Sequence, residues 1–170
     1  MDFKIRGFVM KKKSILYILL VLILVIADQI SKLVVAGSFS DTTCVTVIPY
    51  MFDFVLVKNT GAAFSIFSGK TFILGIVSVL FCIALAVYWI KSKPKSTFMN
   101  VSMSLLFGGA FGNAIDRLFR GSVIDFIKTT FMEFPVFNVA DIGITCGAIL
   151  LMIYFVFIDK DDTKDGKDNP

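Results

Sequence analysis

Four apolar runs constrain this chain more than anything else in it. They cover about Ser14 to Ala36, Thr71 to Ile90, Thr97 to Leu118 and Val139 to Ile158. Each holds roughly 20 residues, enough at ~1.5 Å per helical residue to cross a ~30 Å hydrocarbon core. Backbone polar groups in lipid must be satisfied within their own segment, so each run is predicted to be a helix. With 56% apolar residues and a mean hydropathy of +0.83, the composition excludes an ordinary soluble domain. The predicted fold is an all-α membrane protein with four transmembrane helices, a single domain over residues 1–158. The polar tail 159–170, "DKDDTKDGKDNP", is predicted to be disordered. The basic start "MKKKSILYILLVLILVIA", ending in Val25-Ile26-Ala27, also fits a cleavable signal peptide. Against that reading, the apolar run resumes as "LVVAG" after Asp28–Lys32, and three further spans follow.

The basic residues give a direction. Five Lys or Arg lie in the first 13 residues, three in "KSKPK" and three in the tail, but only two in Gly37–Lys70 and two in Leu118–Asn138. The positive-inside bias then puts both termini in the cytoplasm and both longer loops outside. Basic clusters beside apolar runs belong to membrane orientation rather than phosphate binding, so no nucleic-acid partner is expected. In the first outer loop, "CVTVIPYMFDFVLVKN" reads as two short strands of a small extracytoplasmic β-sheet. In the second, "FIKTTFMEFPVF" reads as an interfacial segment lying along the membrane.

The chain has no histidine. That removes Ser-His and Cys-His nucleophile systems and most transition-metal sites. Cys44, Cys82 and Cys146 are odd in number and far apart, which supports neither a disulfide framework nor a zinc site. No metal or cofactor is expected. What remains is a set of polar residues placed where lipid makes them costly, each a functional candidate by default. Asp28 and Lys32 are four apart on one helical face and can pair, either as a structural lock or as part of a site. "GGAFGNAIDR" places Asn113, Asp116 and Arg117 near the end of span three, after the close-packing Gly108 and Gly112. Asn138 and Asp141 share a face at the start of span four, followed by Gly143 and Gly147. Arg117 also suits a snorkelling anchor, and Gly61-Ala62 a tightly packed turn. Ser31-Lys32 is not a Ser-Lys dyad, because adjacent helical residues point apart.

Packing spans three and four together brings Asp141 near the exit of span three, where Asp125 can fold back onto it. Two carboxylates at short range cannot both stay ionised, so one holds a proton while the other acts as a base. That is the arrangement of an aspartic protease, which needs neither metal nor histidine. Two aspartates alone also fit a structural role or a small proton-coupled membrane transporter.

Five ordered blocks narrow the choice: "DQISK", "KNTGAAFSIF", "GGAFGNAIDR", "VIDF" and "FNVAD". Over about residues 14 to 158 they closely resemble the lipoprotein signal peptidases of type II, bacterial intramembrane aspartic endopeptidases. The resemblance implies that Asp125 and Asp141 are the catalytic pair, and that Asn59, Gly61, Ala62, Gly108, Asn113, Asp116, Arg117 and Asn138 line or support the site. It also implies that Asp28 and Lys32 brace it. The implied substrate is a prolipoprotein whose cysteine carries diacylglyceryl, cut immediately before that cysteine in the cell membrane, with membrane lipid as a further partner. The cyclic peptide globomycin is the implied inhibitor. Ser31 stands where the family usually has threonine, and the interval from Asp125 to Asp141 is shorter than in some relatives.

Overall fold

A computed structural model describes residues 3–61 and 66–158, with side chains from residue 14 onward. Ala62 and the tail 159–170 therefore lie outside the described residues. The elements are α1 (Phe3–Ser38), β1 (Cys44–Ile48), β2 (Phe52–Asn59), α2 (Thr71–Ser92), α3 (Thr97–Ile115), β3 (Val123–Thr129) and α4 (Val139–Ile153). Both α3 and α4 end in a wider π-helical turn, Asp116–Arg120 and Tyr154–Ile158 respectively. Stretches Ser14–Ser38, Thr71–Ser92, Thr97–Arg120 and Val139–Ile158 are each long and apolar enough to span a bilayer. They end within two residues of the expected limits.

α3 is the central helix, with twelve buried residues among its nineteen. It packs on α1, α2 and α4, while the outer faces of those three present Leu, Ile, Val and Phe to the surroundings. An apolar exterior around a more polar interior is the distribution lipid demands. Glycines set the helix spacing. A Cβ at Gly147 would lie 2.6 Å from the Leu106 nitrogen and 2.8 Å from the Ser102 oxygen, both backbone atoms of α3. A Cβ at Gly109 would strike the Ala140 carbonyl oxygen from the other side. Gly109 and Gly147 thus close the α3–α4 seam, whereas Gly108 and Gly143 admit Leu24 of α1. Backbone cannot yield as a flexible side chain can, so Gly147→Ala is expected to cost about 1–3 kcal/mol by overpacking. Gly37→Ala, where nothing lies within 4 Å of the added methyl, is the neutral control. Thermal unfolding of the two variants in detergent checks the contrast.

The sheet joins the two longer connections at one end of the bundle, in the order β1-β2-β3 with antiparallel pairing throughout. Here the expectation for the second outer loop is corrected. The stretch from Val123 to Thr129 is a strand, paired with β2 from Phe52↔Thr129 to Asn59↔Val123, so the first four residues of the expected interfacial segment Phe126–Phe137 belong to the sheet. Its buried residues Val123, Ile124 and Phe126 are β-branched or aromatic and pack inside. Lys128, which had suggested an interfacial position, pairs with Asp53 across the ladder. Only the second half, with Phe131, Met132 and Phe134 exposed, retains the character of a surface segment. Gly121, at φ +73°, makes the sharp turn from the π-helical end of α3 into β3.

Candidate functional site

Two aspartates reach one cavity from different elements. Asp125 stands on β3 opposite Val57, beside a bulge in β2 between Phe54 and Val57. A bulge bends its strand and re-aims neighbouring side chains, and it occurs here next to a buried carboxylate. Asp141 occupies the third position of α4 and is half-buried. The chain between them returns to β3: Phe137 accepts from and donates to Ile127, at 2.8 and 3.1 Å. That bridge delivers Asn138 beside Asp125 just before α4 begins.

Asn138 is fully buried and has three jobs. Its side-chain oxygen accepts the Asp141 amide N–H at 3.0 Å, and its own backbone N–H donates to Asp141 Oδ2 at 3.1 Å. Together these bonds form a reciprocal capping box that satisfies two N-terminal donors of α4. Its amide nitrogen then donates to Asp125 Oδ1 at 2.6 Å and to Asn113 Oδ1 at 3.2 Å. Asn59 donates to Asp125 Oδ2 at 2.9 Å, and is held in that orientation because its oxygen accepts the Gly61 N–H. Asn113 donates to Asp141 Oδ1 at 2.7 Å. Each of the four carboxylate oxygens therefore accepts one hydrogen bond, three from asparagine amides and one from backbone. Second lone pairs remain on every oxygen. Burial pushes the Asp125 carboxyl up to about 6; Asn59 lowers it, the nearby Asp141 charge raises it, and Asn138 and then Lys32 lower it.

A second polar layer lies behind the first. Lys32 Nζ is 2.8 Å from Asp28 Oδ2, 2.8 Å from Asp116 Oδ2 and 2.9 Å from Asn113 Oδ1, all fully or nearly fully buried. Asp28 Oδ1 accepts the Ala140 amide N–H at 2.9 Å, so α1 caps α4 from outside. Asp116 also pairs with Arg120, and Gln29 donates to both Asp28 and Asp116. Gly112 allows this approach, since a Cβ there would lie 2.6 Å from Asp28 Oδ2.

The cavity has a volume of about 420 Å³ and is lined by Asn59, Asn113, Arg117, Asp125 and Asp141 on its polar side. Its apolar wall runs from Phe134–Phe137 down α4 to Thr145 and Cys146, which are exposed on the outer face of that helix. Arg117 is anchored by Ser78 of α2 at 3.2 Å and leaves its buried Nε without a partner. Asp28, Lys32 and Asp116 stand behind the cavity wall and do not line it. Gly108 is not part of the lining either; it faces Leu24. Sequence reading passed over Gln29, Ser78 and Arg120. Gln29 lies within "DQISK" and Arg120 three residues past "GGAFGNAIDR", but nothing in the sequence points to Ser78. Asn138 is among the residues expected at the site, and its N-x-x-D spacing to Asp141 is also that of the capping box it forms.

Comparison with known proteins agrees with this architecture. A lipoprotein signal peptidase of Clostridium acetobutylicum is 40% identical over 153 residues, covering 88% of this chain and 98% of the relative. One from Staphylococcus aureus is 39% identical, covering 89% and 91%. A solved bacterial membrane enzyme superposes with a TM-score of 0.81 at 38% identity, covering 91% of this chain and 93% of the other. A second does so with a TM-score of 0.77 at 39% identity, covering 84% and 93%. The signature of signal peptidase (SPase) II matches residues 20–157, most of the chain. On these grounds, and with four spans enclosing the motifs in order, the chain belongs to the signal peptidase II family.

Proposed function

We propose that this protein removes the signal peptide of diacylglyceryl-modified prolipoproteins, cleaving immediately before the lipidated cysteine, with Asp125 and Asp141 as an aspartic pair. The observation that carries the reading is the pairing itself: two carboxylates from separate elements on one cavity, every oxygen held by a donor. The ionised member takes a proton from water as the water oxygen attacks the scissile carbonyl carbon. The protonated member gives its proton to the carbonyl oxygen. The tetrahedral species collapses as that hydroxyl is deprotonated, the C–N bond breaks, and the departing amine takes up the proton held by the base. No covalent intermediate is needed.

The apolar wall along α4 suits a substrate whose acyl chains stay in lipid while its peptide reaches the carboxylates. Arg117 lines the cavity, and in this reading its guanidinium binds a substrate carbonyl. By the charge bias, this end of the bundle faces outward and both termini face the cytoplasm. Globomycin is expected to compete for the same cavity. A proton-coupled carrier would spread ionisable groups through the depth of the membrane. Among the described residues the buried carboxylates and lysine, Asp28, Lys32, Asp116 and Asp125, cluster at one end, with the half-buried Asp141 beside them.

Incubation of the purified protein in lipid with a diacylglyceryl-modified prolipoprotein tests the reading by mass. Release of the signal peptide, blocked by globomycin, is expected. Proton flux in liposomes without cleavage would replace it. Because burial pushes the Asp125 carboxyl up to about 6, a bell-shaped pH profile of kcat/KM with one limb close to pH 6 is expected. The limb in kcat should lie higher, since bound substrate removes further water from the carboxyl.

A further inference from the structure

Lys32 does not line the cavity, yet together with Asn138 it fixes the orientation of a group that does. An ammonium can only donate, so the Asn113 atom facing it must be the carbonyl oxygen. The Asn138 amide nitrogen bonds the same oxygen and enforces the same choice. The Asn113 NH₂ is left pointing at Asp141, where it can donate but cannot accept. Asp141 Oδ2 faces a backbone N–H, also an obligate donor, at the positive end of α4. The donors to Asp125 differ in what stands behind them. Both are neutral amides, one fixed by the Gly61 N–H and the other by the Asp141 N–H, and neither is in contact with a cation.

We propose that Lys32 is a positioning residue that acts through the Asn113 amide to hold Asp141 as the ionised member of the pair, leaving the resting proton on Asp125. The inference rests on the reading above that these two aspartates react, and it assigns their roles. Asp141 takes the proton from water, and Asp125 protonates the carbonyl oxygen. The charged groups that bear on the pair are Asp28 and Lys32 from α1, Lys58 from β2, and Asp116, Arg117 and Arg120 from the end of α3. α2 contributes only the neutral Ser78. Lys32 is the cation hydrogen-bonded to an asparagine that itself bonds a member of the pair. The raised titration of Asp125 agrees with its carrying the proton. It makes the limb near pH 6 the descending one, because kcat/KM falls once the acid is ionised.

Infrared pH titration of the enzyme in lipid tests the resting state directly. A protonated-carboxyl band that disappears on raising the pH through about 6 should be lost in Asp125→Asn and kept in Asp141→Asn. A band lost in Asp141→Asn and kept in Asp125→Asn would overturn the assignment. Lys32→Met tests the relay; because it strands Asp28 and Asp116, the double variant D28N/K32M, which also removes one buried charge, is made beside it. In whichever folds, the ascending limb of kcat/KM should move up by about one pH unit. Adding the change to Asn113→Ala should move that limb no further. A uniform loss of rate with the limb in place would reduce Lys32 to a structural residue and sink the relay. These failures are separable from failure of the functional reading, in which the Asp→Asn variants would still cleave.

Discussion

Asp125→Asn and Asp141→Asn are each expected to abolish prolipoprotein cleavage, with kcat falling by at least ~10³-fold, while the protein still inserts and folds. The size follows from the chemistry: removing one positioned acid or base forfeits its proton transfer, generally worth ~10²–10⁴-fold. Here each loss also leaves the other carboxylate without the partner that splits their protonation. Asparagine preserves shape but inverts one contact in each case. At position 125, the new NH₂ must face either Asn59 or Asn138, both donating there. At position 141 it must face Asn113 or the Asn138 N–H. A modest loss of stability should therefore accompany the loss of turnover. Single-turnover assays on folded protein separate the two, and cleavage retained by either variant would remove the aspartic pair from the reaction.

The second large effect belongs to Asn138, where one side chain joins a helix cap to the reacting site. Asn138→Ala removes the side-chain acceptor for the Asp141 N–H and the donor to Asp125. Loss of the cap alone should cost ~1 kcal/mol. Loss of a buried donor to a carboxylate adds ~1–3 kcal/mol, as it strands the partner. Asn138→Ser separates the two functions, because serine caps helices well but cannot reach Asp125 with an amide. The serine variant is expected to keep near-normal thermal stability yet lose roughly tenfold to a hundredfold in kcat, as expected when an acid–base group is poorly placed. The alanine variant should lose both. Equal melting losses in the two variants would mean that the capping box contributes little.

Much of the architecture could be read from residue order because lipid is a harsh solvent. An apolar run of about 20 residues with unsatisfied backbone has one outcome there, so the four spans emerge with ends displaced by two residues or fewer. Alternating Val, Phe and Thr likewise marked β1 and β2. The third strand escaped for a physical reason. Val123–Thr129 is buried over most of its length, so it lacks the in–out alternation that marks a half-exposed strand. Its pairing depends on β2, some 70 residues earlier in the chain. The acids stood out because charge in an apolar setting is costly. Which neighbour satisfies which oxygen was not legible.

The sequence settled what was governed by local solvent preference: four membrane-spanning helices, the small-residue seams between them and the unusual presence of Asp125 and Asp141 between apolar runs. Tertiary structure alone decided the partners. A bulge in β2 and the Ile127–Phe137 bridge put Asp125 beside Asn138; Lys32 of α1, 81 residues before Asn113, supplied the cation behind it. Hydrophobicity acts on each segment by itself and without direction, so order along the chain suffices to read it. Hydrogen bonds depend on distance and angle between atoms brought together only when the chain has folded.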